Sequence, residues 1–190
     1  MKSAVMLLVA MVLFASVVAQ AQTRTPMPQP DAATVKAFEE KVLAMHNAFR
    51  AKHGAPPLTW DTTIAAYAKR RAAYISQHYA LSAGHAGLEG YGENLHWSGG
   101  SSAVFPKGGA AAESAVKSWY NEVGRYNFAK PGFASGTGHF TQLVWKASTR
   151  LGCAIVQGKA TQRWETYVVC NYSPPGNYQG QFPANVLPPK

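Results

Sequence analysis

The sequence predicts one mixed α+β domain, and three observations carry that prediction. Apolar residues recur at helical spacing in three separate segments, within 31–53, 61–77 and 110–123. Two later segments, 151–157 and 164–172, alternate like paired strands around a turn at 158–161. The length that remains after the amino-terminal region suits a single hydrophobic core.

At the amino end, Lys2 precedes an apolar run over 4–18, and Ala19, Gln20 and Ala21 give the small-x-small pattern of a signal-peptidase site. The run is shorter than the ~20 residues a membrane-spanning helix needs. Residues 1–21 therefore read as a secretory signal, and the mature chain is expected to be soluble, exported and monomeric. Residues 22–34 are assigned to a disordered leader, proline-rich over 25–30, and the domain is placed at 35–190. Helical spacing itself extends over 31–53 through Val35, Phe38, Val42, Met45 and Phe49, with Asp31 or Thr34 as cap and Gly54 past the end. Pro56 and Pro57 break it. Asp61 caps a second helix whose stripe is Ile64, Ala68, Ala72 and Ile75, with Lys69, Arg70 and Gln77 outward.

Residues 81–90 read as loop, 92–97 as a short strand, and 98–109 as a mobile excursion rich in glycine and serine. In the alanine-rich helix over 110–123, Val116, Trp119, Tyr120 and Val123 form the buried face, which leaves Glu113 and Glu122 to be explained. Glu113 stands one turn ahead of Lys117, as an exposed ion pair would. Glycines then precede His139, placed in the first turn of a short helix over 139–146, where backbone N–H groups and an imidazole together suit a site. In the hairpin, setting Cys153 opposite Cys170 also sets Ile155 opposite Val168 and Leu151 opposite Tyr172, so one face is uniformly apolar. In an exported chain that register favours a disulfide over two buried thiols. The tail over 174–190, rich in proline and glycine, is expected to wrap the surface.

Charge narrows the partners. The chain has 18 Lys and Arg against 9 Asp and Glu, and losing Lys2 with the signal leaves a net charge of +8. That favours anionic surfaces such as lipid headgroups or acidic glycans. Nucleic acid is set aside, because the only basic cluster, Lys69, Arg70 and Arg71, fits the solvated face of a helix.

Several stretches carry a family resemblance: 138–148, from Gly138 and His139 through Trp145 to Ser148; 167–178, with Cys170, Asn171, Tyr172 and Asn177; and shorter ones at 46–50, 57–60, 92–95 and 119–122. Together they resemble the CAP superfamily of cysteine-rich secretory, antigen 5 and pathogenesis-related proteins. The resemblance implies a three-layer α-β-α sandwich with a central antiparallel sheet. It also implies a cleft tetrad of two histidines and two glutamates, matched here by His85, Glu93, Glu122 and His139. His78 and His96 compete for the place of His85, whereas His46 fits a packing role. Zinc or another divalent metal, weakly held by His85 and His139, follows from the same resemblance.

Departures from the family pattern narrow the function. Two cysteines replace the six usual in plant defence members, and no carboxy-terminal cysteine-rich domain follows, so ion-channel action is not carried over. Similar single-domain secreted members bind sterols or fatty acids, and the 98–109 loop, bracketed by Trp97 and Phe105, is the expected lipid contact. The competing expectation is a metal-dependent hydrolase, with Glu93 or Glu122 activating a water. No His-Glu-x-x-His helix and no Gly-x-Ser-x-Gly elbow occurs, so no catalytic residue is assigned. Asn171, Tyr172 and Ser173 form a glycosylation sequon, but its place inside the hairpin and before Pro174 argues against use.

Overall fold

The structure, a computed structural model, describes residues 28–77, 84–159 and 163–190. The signal expected at 1–21, most of the leader, His78 and the tip of the hairpin lie outside them. Among the described residues no helix is long and apolar enough to cross a membrane.

Helix α1, Ala32–Lys52, starts on Asp31, whose side chain accepts the Thr34 N–H. Residues 32–34, assigned above to the leader, are therefore its first turn. Strand β1, Thr59–Trp60, is too short to show any alternation, and helix α2, Thr62–Gln77, follows it. Asp61 caps α2 as expected, accepting the Thr63 and Ile64 N–H groups at 2.9 and 3.0 Å. Strand β2, Gly92–Gly100, is longer than expected, because residues 98–100, placed above in a mobile excursion, pair with the last strand. Helix α3, Ala110–Tyr120, tightens into a 3₁₀ turn over Asn121–Arg125, so Glu122 sits on that turn and not on the helix. Helix α4 is Gly138–Val144, strands β3 and β4 are Arg150–Lys159 and Trp164–Ser173, and a short helix α5 is Phe182–Asn185. Gly158 and Lys159, read as turn residues, belong to β3.

The sheet order is β1-β3-β4-β2. The hairpin register is the expected one, with Cys153 opposite Cys170, Ile155 opposite Val168 and Leu151 opposite Tyr172, and Cys153 and Cys170 are bridged. β2 runs antiparallel to β4, whereas β1 pairs parallel to β3, so the sheet is antiparallel except at that edge. One face carries Cys153, Ile155, Val168, Cys170 and Tyr172 and packs with residues of α1, α3 and α4 in the main core. The other carries Ala154, Val156, Tyr167 and Val169 under Ala68, Ala72 and Ile75 of α2. Period-2 alternation thus gives each sheet face its own helical layer, the α-β-α sandwich expected. The tail does more than wrap the surface, since Phe182 and Val186 join the main core and Phe182 packs edge-on against Trp145.

The stripe on α1 differs from expectation in an informative way. Phe38 and Val42 are buried, but below them His46 and Arg50 are buried instead of Met45 and Phe49. Arg50 is satisfied without a carboxylate. Its guanidinium donates to the carbonyls of Pro56, Leu143, Trp145 and Ser148 at 2.8–3.0 Å, tying α1 to the carboxyl end of α4 and the turn after it. Burial lowers its pKa to about 10, so it stays charged at neutral pH.

Candidate functional site

Glu93 and Glu122 each hold one histidine. His139 opens α4, and its ring Nδ1–H donates to Glu122 Oε1 at 2.8 Å. The other carboxylate oxygen accepts the backbone N–H groups of His139 and Phe140 at 2.9 and 3.1 Å. The N-cap residue of α4, Thr137, makes no side-chain cap, so Glu122 caps α4 from a distant turn. Burial raises the Glu122 carboxyl, but these bonds outweigh it and hold it below the usual carboxylate range.

His85 lies in the loop before β2, and its Nδ1–H donates to Glu93 Oε1 at 3.0 Å. The alternative His96 instead has its Nε2 facing the Ser114 hydroxyl at 3.1 Å. Glu93 is clamped by Arg71 of α2, with Nε and Nη2 donating to the two oxygens at 2.9 Å each, and Asn171 donates to it as well. Burial raises this carboxyl too, and the bonds from Arg71, His85 and Asn171 overcome that and lower it. Arg71 is thus buried and paired, against its assignment to a solvated basic cluster. Asn171 is fully buried and donates to Gly92 O and Glu93, so its sequon is inaccessible in the folded chain.

The two pairs are joined through the core. His46 donates from Nδ1 to the Val42 carbonyl at 2.7 Å and accepts the Tyr172 hydroxyl on Nε2 at 2.8 Å. Asn94, next to Glu93, donates to both the Tyr172 oxygen and the His139 carbonyl at 3.0 Å. A cavity of about 330 Å³ opens beside His85 and Glu93, walled by Tyr91, Gln142, Asn177 and Tyr178. Gln142 is pinned by Gly176 N–H and Ser148, and Asn177 donates to the Gly138 carbonyl, which leads on to His139. At Gly92 a Cβ would come within 2.0 Å of Gln142 Oε1, so close approach forbids a side chain there.

Both histidines are partly open to solvent, with side-chain exposures of 53% for His85 and 38% for His139. In the neutral ring, donation from Nδ1 leaves Nε2 as a lone pair, the arrangement in which a carboxylate orients a metal-ligating imidazole. Among the described residues no three His, Cys, Asp or Glu side chains come together as a metal cluster.

The lipid pair is not brought together. Phe105 lies in the main core, whereas Trp97 packs half-buried on the α2 face under the Arg163 guanidinium. The exposed apolar residue of that loop is Val104, at 64%. Sequence reasoning missed Arg71, Asn94, Gln142 and Tyr172. The available signal was polar residues set within or beside apolar stripes, as Arg71 stands beside Ala72.

The family profile described as CAP, cysteine-rich secretory protein family, matches residues 43–172. The chain is 38% identical to human Golgi-associated plant pathogenesis-related protein 1 over 159 residues, 82% of this chain and 96% of that protein. It is 42% identical to the secreted protein RBT4 of Candida albicans over 149 residues, 77% of this chain. The chain spans only 37% of RBT4 and 44% of a second Candida albicans relative, a probable pathogenesis-related protein. The solved structure of NaASP2 with Zn²⁺ superposes with a TM-score of 0.61 at 25% identity, covering 86% of this chain and 91% of that one. The disulfide and the relative named as secreted are consistent with an extracellular location. From the matched profile, the near full-length human relative and the α-β-α sandwich, the chain belongs to the CAP, or cysteine-rich secretory protein, family.

Proposed function

We propose that this chain is an exported carrier that binds apolar molecules of the sterol or fatty-acid class and sequesters or moves them. A defence role follows, since withdrawing such molecules from a microbe's membrane inhibits it, and relatives named as pathogenesis-related support that context. One observation carries the choice of carrier over hydrolase: both tetrad carboxylates are already committed. A general base needs a reachable carboxylate with a pKa near the working pH. Glu93 is spent on Arg71, His85 and Asn171, Glu122 on His139 and two backbone N–H groups, and both are depressed. His85 and His139 then hold a divalent metal weakly through Nε2, and the NaASP2 structure with Zn²⁺ supports that assignment.

The apolar ligand is assigned to the loop over 101–109 that follows β2, with Val104 exposed on it and Phe105 buried in the core. Area removed from water gives about 25 cal/mol per Å², and the polar tetrad adds nothing to it. Radiolabelled cholesterol and palmitate titrations of the mature protein test this. Saturable binding that survives His139→Ala and weakens in Val104→Asp is expected. Absence of saturable binding to either lipid overturns the carrier, and binding lost in His139→Ala moves the ligand to the tetrad.

A further inference from the structure

A slot of about 300 Å³ lies at the β1 edge of the sheet, and none of the tetrad residues lines it. Its floor is the segment Cys153, Ala154 and Ile155 of β3; Val35, Phe38 and Glu39 of α1 form one wall, and Ala65, Ala66 and Lys69 of α2 the other. β1 covers only the first residues of this edge, pairing Thr59 with Arg150 and Trp60 with Leu151. Thr149 O and Leu151 O point to that side, accepting the N–H groups of Thr59 and Asp61 at 2.9 Å. N–H and C=O of one residue point the same way in a strand, and the direction alternates. Cys153 and Ile155 therefore also aim their N–H and C=O into the slot.

Among the described residues, the pairing of β1 along this edge stops at Leu151. Cys153 and Ile155 are nevertheless buried. Buried backbone groups without partners are rare, because an unmade hydrogen bond away from water is costly. The edge thus ends in a recessed row of donors and acceptors between two helical layers.

We propose that this slot binds an extended peptide segment of another protein, which adds a strand to the outer edge of β3. Backbone pairing of this kind supplies affinity, and the alternate side chains supply specificity. Successive side chains of the added strand would face α1 and α2 in turn. Toward α1 they meet Val35, Phe38 and Glu39, which fits an apolar residue followed two positions later by a basic one. Toward α2 they meet Ala65, Ala66 and Lys69, which fits small and acidic residues. Charge complementarity therefore selects alternating chemistry: apolar or basic on one face, small or acidic on the other. At about 3.3 Å per residue, the three floor residues accommodate a strand of similar length.

The test uses the ¹⁵N-labelled mature protein and the probe acetyl-Val-Ala-Lys-Glu-Val-amide. Shift changes at Cys153 and Ile155, with their amide exchange slowed about tenfold or more, are expected. N-methylation of the peptide at its first, third and fifth residues should differ by at least about tenfold in affinity from methylation at its second and fourth, because only one edge pairs. Ala66→Trp, at an exposed helix position, should abolish the response while leaving the fold intact, judged by unchanged hairpin shifts. No response at millimolar peptide, indifference to which edge is methylated, or binding that survives Ala66→Trp overturns the proposal. So does occupancy of these amides by palmitate alone, or by a second copy of the chain on raising protein concentration.

Discussion

Glu93 and Glu122 each accept an Nδ1–H from a half-exposed histidine, yet the two carboxylates are anchored by different means. Glu93 is held by a buried formal charge, the Arg71 guanidinium, whereas Glu122 is held by backbone N–H groups at the first turn of α4. The first pair is a small ionic core between β2 and α2. The second is a helix cap that also points a histidine. One chemical outcome, an imidazole presented by its Nε2, is thus reached through two kinds of support, and these should fail differently.

The largest effect is expected on the Glu93 side. Glu93→Ala leaves the buried Arg71 charge uncompensated and should cost about 3–5 kcal/mol in urea unfolding, whereas the paired replacement Arg71→Met with Glu93→Leu should cost clearly less. Equal losses for the single and double variants would mean that packing, and not charge, is what this pair contributes.

A second difference is pH. The Glu122 side is tied through Asn94 and Tyr172 to His46, whose pKa burial lowers to about 4, with the Val42 carbonyl opposing and the Arg50 charge adding to the shift. An unfolded histidine titrates near 6.5, so the unfolded chain binds the proton first as pH falls. The stability that neutral His46 contributes is present above about pH 6.5 and lost progressively down to about pH 4, with a loss on the order of 2–3 kcal/mol. Burial lowers His53 as well, in the same direction. Unfolding free energies measured from pH 7 to 4 should fall, and His46→Gln should flatten part of that slope. An unchanged slope in His46→Gln would remove His46 from the account. Below this window the depressed Glu93 and Glu122 carboxyls lose their contribution in turn, each as pH falls through its folded pKa.

The smallest effect is expected for the cap. Glu122→Gln keeps an acceptor for the two N–H groups and should cost about 1 kcal/mol, and Glu122→Ala about 1–2 kcal/mol. Hydrogen exchange should speed up at His139 and Phe140 in Glu122→Ala and stay unchanged at Glu93 and Asn94. Loosening at both places would show that the two supports are one unit.

These differences mark where the sequence stops being legible. The stripe on α2, the Asp61 cap and the register that pairs Cys153 with Cys170 follow from periodicity and local chemistry, and all appear as read. Arg71 and Arg50 do not, because their acceptors lie far along the chain: Glu93 is 22 residues away from Arg71, and Ser148 is 98 from Arg50. A basic side chain has no local pattern that separates a solvated from a clamped state. β1 escaped notice because two residues carry no alternation, and Phe105 because a lone aromatic in a glycine-rich loop looks alike whether it points inward or outward. The tetrad residues came from the resemblance, and what holds each of them came only from the fold.

The central claim is that both carboxylates are spent on fixing their imidazoles, each with the proton on Nδ1 and the Nε2 lone pair presented outward. Long-range ¹H–¹⁵N correlation spectra of the neutral rings of His85 and His139 test it most directly. Both rings are predicted to show a protonated Nδ1 and an unprotonated Nε2, with Glu93→Ala releasing only His85 and Glu122→Ala only His139. A ring of either residue protonated on Nε2 in the wild-type protein would contradict the account.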